Sequence, residues 1–182
     1  MNTVRILKWV TYVIFTALVI ISCKEEENQS GFPKINGHFD AGSLIVKENN
    51  ATKKVRGQVL YLPIYSHVPY FEHNKRYDLS AFVAIHNTDF HNTLRITKVL
   101  YFDNDGKLVA DYLKKDTILH PLGATNYFVP EADNSGTGAN FIVEWVSDSL
   151  INEPLIESVM IGLKFNQGVS FLSSGRIIRE SK

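Results

Sequence analysis

Cysteine is almost absent from this chain, because Cys23 is the only one among its 182 residues. A single thiol excludes an intramolecular disulfide, which an exported domain would otherwise permit. It also excludes a zinc site built from cysteine ligands. An unpaired cysteine in an exported chain requires an explanation, and the position of Cys23 provides one.

The chain also lacks an excess of either charge, with 19 basic and 19 acidic residues. If the first 22 residues are removed, Arg5 and Lys8 are lost, and 17 basic residues remain against 19 acidic ones. This balance argues against nucleic-acid binding, which requires a concentrated basic surface. It also argues against a polybasic membrane patch.

An apolar run long enough to cross a membrane is missing as well. The uncharged stretch Trp9–Ile21 follows the basic residues Arg5 and Lys8 and has 13 residues, whereas a spanning helix needs about 20. A basic start, a short apolar run and then the small residue Ser22 are typical of a secretory signal. We therefore predict a lipoprotein signal peptide over residues 1–22.

The end of this signal, Ile20-Ile21-Ser22-Cys23, resembles the bacterial lipobox. The resemblance implies cleavage before Cys23, a diacylglyceryl thioether on its sulfur and acylation, for example by palmitate, of its amino group. Each buried methylene contributes about 0.8 kcal/mol, so two or three acyl chains hold a protein stably. The expected protein is a lipoprotein anchored to a membrane of the cell envelope.

Lys24-Glu25-Glu26-Glu27 follows the lipidated position directly. It resembles the surface-export signal of lipoproteins in one large group of Gram-negative bacteria, which would place the domain on the outer face of the outer membrane. The alternative is a solvated charge run at the start of a tether. Residues 23–56 are mostly polar, so we predict a lipidated N-terminus and a flexible tether that reaches roughly 30 Å.

Residues 57–182 show short apolar and β-branched runs separated by turn residues, and no segment keeps a helical period. Seven to nine strands are expected. Asp103-Asn104-Asp105-Gly106 is predicted to be a hairpin turn, and residues 169–172 and 176–179 are predicted to pair through Ser173-Ser174-Gly175. The predicted fold is an all-β antiparallel sandwich, immunoglobulin-like or a related Greek key. A closed barrel is the alternative.

Several segments resemble the domain-of-unknown-function family numbered 3124, whose members are small exported bacterial proteins, many of them lipid-anchored. The segments are Tyr61-Leu62-Pro63-Ile64-Tyr65-Ser66-His67, Asn87-Thr88-Asp89, Tyr101-Phe102-Asp103 with Gly106-Lys107-Leu108-Val109, Gly138-Ala139-Asn140-Phe141-Ile142-Val143-Glu144-Trp145, and Met160-Ile161-Gly162 with Gln167-Gly168-Val169-Ser170-Phe171. His86 departs from the arginine expected before Asn87. The resemblance implies a single exported domain and no particular activity.

Five histidines fall in the predicted domain: His67, His73, His86, His91 and His120. Imidazole is a common metal ligand, but the sequence has no His-x-His pair and no helical His-Glu-x-x-His. His67, His73 and His91 are expected in loops, and His86 on the strand face opposite Val83 and Ile85. No metal ligand, cofactor or catalytic residue is assigned.

Seven residues are candidates for ligand binding, because they are polar or aromatic and flank the predicted strands: Tyr65, His67, His86, Asn87, Asp89, Asp133 and Asn140. The first hypothesis is a non-enzymatic binding or interaction module that recognises a glycan, a peptide or an envelope protein. The second is a metal-dependent or carboxylate-based envelope hydrolase. The third is a structural subunit of an envelope complex. Nucleic acid is not an expected partner.

Overall fold

The computed structural model describes residues 56–164 and 166–181, apart from the side chains of residues 72, 73 and 181. The predictions of a signal peptide, a lipidated Cys23 and a tether concern residues outside this part. The described part forms twelve β-strands and no helix, and it therefore contains no helix able to cross a membrane. The strands are β1 (Arg56–Pro63), β2 (His67–Tyr70), β3 (Glu72–Asp78), β4 (Ser80–His86), β5 (Leu94–Phe102), β6 (Leu108–Asp111), β7 (Thr117–Leu119), β8 (Ala124–Val129), β9 (Asn140–Ser147), β10 (Leu155–Lys164), β11 (Gln167–Ser174) and β12 (Arg176–Ser181).

The larger sheet has six strands in the order β12-β1-β9-β5-β6, and β7 also pairs with β5. All these pairings are antiparallel. The central strand β9 is buried continuously from Phe141 to Ser147. Because successive side chains of a strand point to opposite faces, this burial means that both faces of the sheet are covered at β9.

The smaller sheet has four antiparallel strands in the order β11-β10-β4-β8. In β4, Ala81, Val83 and Ile85 are buried, whereas Phe82 is exposed and His86 is half-buried. The alternation predicted for this strand, with His86 opposite the buried face, is therefore confirmed.

A continuous hydrophobic core lies between the two sheets. The fully buried side chains of Phe141 and Trp145 come from the larger sheet, and those of Val83 and Met160 come from the smaller one. Truncating a core aromatic residue of this kind to alanine typically costs about 3–5 kcal/mol. Two separate sheets around one core make the fold an antiparallel β-sandwich rather than a closed barrel.

The last two strands do not pair with each other, so the predicted closing hairpin is wrong. Strand β11 pairs with β10 in the smaller sheet, whereas β12 pairs with β1 in the larger sheet. The chain passes from one sheet to the other at Gly175, whose N–H donates to Ile156 O over 2.9 Å. Turn residues mark the end of a strand, but they do not specify the next pairing partner.

The part of the chain that the structure describes has more strands than the seven to nine expected, because three of them lack a clear alternating pattern in the sequence. Two of them, β2 and β3, form a separate antiparallel ribbon. His67 begins β2 and His73 lies within β3, so the prediction that these histidines lie in loops is wrong. The third of these strands is β7, which has only three residues.

The outer face of the larger sheet carries a second buried apolar cluster. We call this set the outer cluster; it consists of Val59, Leu100, Phe102, Leu108 and Ile142, each at most 8% exposed. Leu100 faces Ile142 across the β5–β9 pair, and Val59 faces Glu144 across the β1–β9 pair. These residues point away from the core, and yet they are buried.

Candidate functional site

The candidate polar residues gather in two clusters at opposite ends of the sandwich. We call the first the Asp133 cluster; it contains Ser66, Tyr101, Asp133, Ser135 and Gly136. The second, the Asp89 cluster, contains Asn87, Thr88, Asp89, Asn92 and Asn152. Strand β4 joins the two ends, and its seven residues span about 20 Å at roughly 3.3 Å per residue.

In the Asp133 cluster, three donors bind one buried carboxylate. The Tyr101 hydroxyl donates to Asp133 Oδ2 over 2.7 Å, and the Ser135 N–H donates to the same oxygen over 3.1 Å. The Ser135 hydroxyl donates to Asp133 Oδ1 over 2.9 Å. Charge-assisted hydrogen bonds of this kind are the stronger ones in proteins. The carboxylate is therefore engaged by its own chain at both oxygens.

Two tyrosines close to Asp133 are held in the neutral form. Burial raises the pKa of Tyr101 far above its usual value, and the neighbouring charge of Asp133 adds to the effect. Burial also raises the pKa of Tyr112, again with a contribution from Asp133. Neither hydroxyl is therefore suited to act as a general base near neutral pH.

Ser66 ties the segment after β1 to the loop before β9. Its hydroxyl donates to Gly136 O over 3.1 Å and accepts from the Gly136 N–H over 2.9 Å. His67 Nδ1 lies 3.3 Å from the same hydroxyl. A serine beside a histidine can suggest a nucleophile, but Ser66 is buried and already bonded to backbone groups. We therefore assign it a structural role.

In the Asp89 cluster, the carboxylate organises two loops. Asp89 Oδ1 accepts the N–H groups of His91 and Asn92 over 2.9 and 2.8 Å, and Oδ2 accepts the N–H of Asn152 over 3.0 Å. These backbone hydrogen bonds favour the charged form and lower the pKa of Asp89 to about 2. The carboxylate thus fixes the loop after β4 to the loop before β10.

Asn87 and Thr88 complete this cluster. The Asn87 amide donates to the backbone oxygens of Asn92, Leu119 and His120 over 2.9 to 3.2 Å. Asn87 Oδ1 accepts the Asp89 N–H over 3.0 Å, and the Thr88 hydroxyl donates to Glu153 O over 2.7 Å. The Asn87-Thr88-Asp89 motif is therefore a loop-stabilising unit.

The structure divides the seven candidate residues between the two ends. Tyr65, His67, Asp133 and Asn140 lie at the Asp133 end, because the segments that carry them are joined by Ile64 N to Ala139 O and by Ser66 N to Gly136 O. His86, Asn87 and Asp89 lie at the other end. The seven residues therefore do not share one cleft, and ligand binding by either group stays a prediction.

The part of the chain that the structure describes contains no cluster of metal-ligand side chains. No three histidine, cysteine, aspartate or glutamate side chains there are arranged to hold a metal ion. His86 and His67 lie at opposite ends of the sandwich. Histidine and aspartate are common metal ligands, but the fold keeps these two histidines apart.

An exposed apolar row crosses the outer face of the smaller sheet. Leu172 of β11, Val159 of β10, Phe82 of β4 and Phe128 of β8 face one another in register. The exposed fractions of Leu172, Phe82 and Phe128 are 56%, 41% and 53%. A contiguous apolar surface of this kind marks interaction sites. We call these four residues the apolar row.

The apolar row could not be recognised from the sequence alone. The available signal was Phe82, a large apolar residue on the face of β4 opposite to Ala81, Val83 and Ile85. The remaining members could not be placed beside it, because strand order and register follow from tertiary packing. Tyr101 and Ser135 were also missed, since their role depends on loops that are distant in sequence.

No curated protein matches this chain. Among solved structures, it is similar to the crystal structure of Thermotoga maritima 1070, with a TM-score of 0.41 and 12% sequence identity. That similarity covers 65% of this chain and 92% of the other, and it is too low to support an argument. The model of a family described as "Protein of unknown function (DUF3124)" matches residues 57–178. The match extends from β1 into β12, and the chain therefore belongs to this DUF3124 family.

Proposed function

We propose that this protein is a lipoprotein of the bacterial cell envelope whose sandwich is a non-enzymatic interaction module. In this proposal, lipid on Cys23 holds the chain at the outer membrane, and the apolar row binds the same row of a second copy. The observation that carries the proposal is the exposed apolar row on the smaller sheet.

The anchor is supported by the sequence before the sandwich. The Ile20-Ile21-Ser22-Cys23 segment has the pattern of a lipobox, and Lys24 with three glutamates follows it. We infer from the second feature that the domain faces the cell exterior. Incorporation of labelled palmitate tests the anchor: the native chain should be labelled, and the Cys23→Ser variant should not. An unlabelled native chain would contradict the anchor without affecting the proposed contact between copies.

A second copy fits the apolar row because the row has large side chains at one end and smaller ones at the other. A twofold axis along the strands, between β10 and β4, would place Phe128 over Leu172 and Phe82 over Val159. Large side chains opposite smaller ones allow two layers to interdigitate. Stacked sheets pack face to face in the same way inside β-sandwiches.

The rest of this outer face suits such a contact. Glu157 is the only Asp, Glu, Lys or Arg among the outward positions of the four strands. It is in register with Ala84, which the same twofold axis would bring opposite it. Like charges directly opposite each other are unfavourable, and this arrangement avoids them.

The size of the face predicts a weak contact that the membrane strengthens. Four strands about 4.8 Å apart and seven residues of roughly 3.3 Å give about 450 Å² per copy. Two copies would bury about 900 Å², below the 1,200–2,000 Å² of stable interfaces. Confinement of two lipid-anchored copies to one surface raises their effective concentration, so association is expected on membranes rather than in dilute solution.

A carboxylate-based or metal-dependent hydrolase gains no comparable support. Asp89 and Asp133 are the acids at the two ends, and both are bound by donors of their own chain. A catalytic acid or base must reach the proton that it transfers. We therefore favour interaction over hydrolysis.

The experiment compares paired variants of the full lipidated chain in lipid vesicles. Donor and acceptor fluorophores on the C-termini of different copies report association by energy transfer. Substituting Phe82→Ser with Phe128→Ser should weaken association at least about tenfold, because interface aromatics carry much of the binding energy. The matched control is Phe90→Ser with Leu150→Ser, two exposed apolar residues outside the smaller sheet. Equal energy transfer for both pairs would contradict the proposed contact.

A further inference from the structure

Strand β11 forms one edge of the smaller sheet, because it pairs with β10 on one side and with no strand of the described part on the other. Just after it, Gly175 N donates to Ile156 O, so the backbone at Gly175 faces β10. The hydrogen-bonding direction alternates along an antiparallel strand, and every second residue of β11 therefore points its N–H and C=O groups away from the sheet. We call these residues the open edge; they are Gly168, Ser170, Leu172 and Ser174.

No loop or side chain of the described part hydrogen-bonds to the open edge. Outside the strand ladders, the hydrogen bonds next to it join Gly175 N to Ile156 O and the Tyr77 hydroxyl to Gln167 O. Neither Gly175 nor Gln167 belongs to the open edge. All four of its residues are exposed, and Leu172 is 56% exposed. Backbone donors and acceptors are strong hydrogen-bonding groups, and here they are accessible to a partner.

The other edge strands of the described sandwich carry features that hinder strand addition, whereas β11 does not. Proteins protect sheet edges with charges, proline, bulges or short strands. Strand β12 has three charged residues within Arg176–Glu180, and its register against β1 is interrupted. Strand β8 ends before Pro130, and the Tyr112 hydroxyl donates to its Phe128 O. Strands β6 and β7 have only four and three residues. Strand β11 has eight residues, none charged and none proline, and its register is uninterrupted.

We propose that the open edge binds an extended segment of another protein, which adds to the smaller sheet as a fifth, antiparallel strand. A row of outward N–H and C=O groups at regular spacing is complementary to the backbone of a second extended chain. Apart from Leu172, the open-edge residues are glycine and serine, so an incoming backbone can approach closely. This surface is the edge of the sheet, and it is independent of the contact between copies proposed for the apolar row.

The side chains of β11 define the chemistry of the incoming segment. Leu172 lies on the outer face in register with Val159, and it favours an apolar residue directly opposite. Phe171 points to the other face and packs against the core, so apolar residues are favoured on that face as well. Because β11 carries no charge, a charged residue in the segment would lose water without gaining a partner. The ligand is therefore an uncharged extended segment, with small polar residues opposite Ser170 and Ser174.

Hydrogen exchange on the full mature chain first tests whether the edge is open. The amides of Ser170, Leu172 and Ser174 should exchange at least about a hundredfold faster than those of Phe171 and Ser173, because hydrogen-bonded amides are protected. Slow exchange at all five amides would overturn the inference, since the edge would already be paired.

A peptide probe then tests strand addition. The probe alternates valine and threonine, carries one lysine at each end for solubility, and is N-methylated at the threonines, which leaves a single edge able to pair. Saturation with the probe should slow exchange at Ser170, Leu172 and Ser174. The matched control is N-methylated at the valines as well, and it should have no effect. Equal effects of the two peptides, or no binding of the probe at millimolar concentration, would overturn the inference.

A variant pair of the protein provides an independent measurement. Ser170→Pro removes an outward N–H that makes no hydrogen bond within the described part, and proline is tolerated at such edge positions. This variant should bind the probe at least about tenfold more weakly, because it loses a backbone hydrogen bond to the added strand. Ser170→Ala keeps the N–H and should bind like the parent chain, and both variants should melt like the parent. Equal probe binding by the two variants would contradict strand addition at this edge.

Discussion

At the scale of single residues, Asp89 connects chain segments that are far apart in sequence. Its carboxylate accepts N–H groups from its own loop and from Asn152, 63 positions further along the chain. This contact fixes the loop that leads into β10, which begins at Leu155. The charge of Asp89 is therefore a structural requirement.

The depressed pKa of Asp89 predicts acid sensitivity. Its pKa falls from 3.8 to about 2 in the folded chain, so ionisation favours the folded state. This stabilisation is present above pH 4 and is lost as the pH falls from about 4 to about 2. Asp89→Asn should lower the melting temperature at pH 6 by a few degrees, and the difference should shrink toward pH 2.

The control for this prediction is Asp116→Asn, which changes an exposed carboxylate 3.1 Å from Arg95. Exposed ion pairs contribute little to stability, so this variant should melt like the parent chain at every pH. A difference between Asp89→Asn and the parent that persists unchanged at pH 2 would refute the assigned role.

Tyr101 allows a second prediction at this scale. Its buried hydroxyl donates to Asp133, and Phe lacks that donor. Tyr101→Phe should therefore destabilise the fold by about 1.5–3 kcal/mol, the usual contribution of a hydrogen bond to a charged group. Urea unfolding measures this, with Tyr61→Phe at a partly exposed position as the control. An equal loss of unfolding free energy for both variants would contradict a stabilising role of the hydrogen bond from Tyr101 to Asp133.

Sequence reasoning recovers the identity of several of these residues but not their roles. Asp89 and Asp133 are recognisable as acids at turns, and aspartate side chains commonly bond to nearby backbone N–H groups. Asn152 and Tyr101 carry no local signal. Their contributions depend on which loops meet at each end of the sandwich.

At the scale of elements, the β2–β3 ribbon is attached to the smaller sheet through β10 and β11. Tyr77 of β3 donates to Gln167 O over 2.8 Å, and Lys164 donates to Arg76 O over 3.1 Å. Gly162 permits this close approach, because an added Cβ would lie 2.5 Å from Tyr77 Cε1 and 2.7 Å from Asp78 O. A side chain at this position cannot be accommodated without moving the ribbon.

Gly162→Ala should therefore displace the ribbon and cost about 1–3 kcal/mol, as overpacking does in other cores. The comparison is Gly168→Ala in the next strand, whose Cβ would meet the movable Leu163 Cδ2 at 3.2 Å. Urea unfolding should separate the two variants clearly. If both lose the same stability, the ribbon is not fixed at Gly162.

A strand can be predicted from this sequence where one of its faces is buried and the other is exposed. The alternation in β4 and the turn at Asp103–Gly106 both follow from local sequence. The N–H groups of Asp105 and Lys107 bond to Asp103 Oδ1, and Gly106 has a positive φ of 74°. The passage of the chain between sheets at Gly175 could not be predicted, because it depends on the open edge of β1.

At the scale of the whole molecule, the outer faces of the two sheets differ in how much of their apolar surface is exposed. The outer cluster is buried. The apolar row remains exposed and is a surface available to a partner. A sandwich fold follows from the sequence pattern, but the accessible face emerges only from strand order, register and burial.

The most direct test of the proposed contact is distance-selective crosslinking in vesicles. Lipidated chains carrying Phe82→Cys are mixed with chains carrying Val159→Cys, and a bismaleimide of about 10 Å, the spacing of stacked sheets, is added. In the proposed lipidated form the sulfur of Cys23, the one cysteine of the sequence, is a thioether, so the introduced thiols would be the only reactive ones. We expect the Phe82→Cys and Val159→Cys chains to crosslink well above the level seen for two Ile178→Cys chains, whose exposed position lies on β12. Equal crosslinking yields from the two mixtures would contradict the proposed contact between apolar rows.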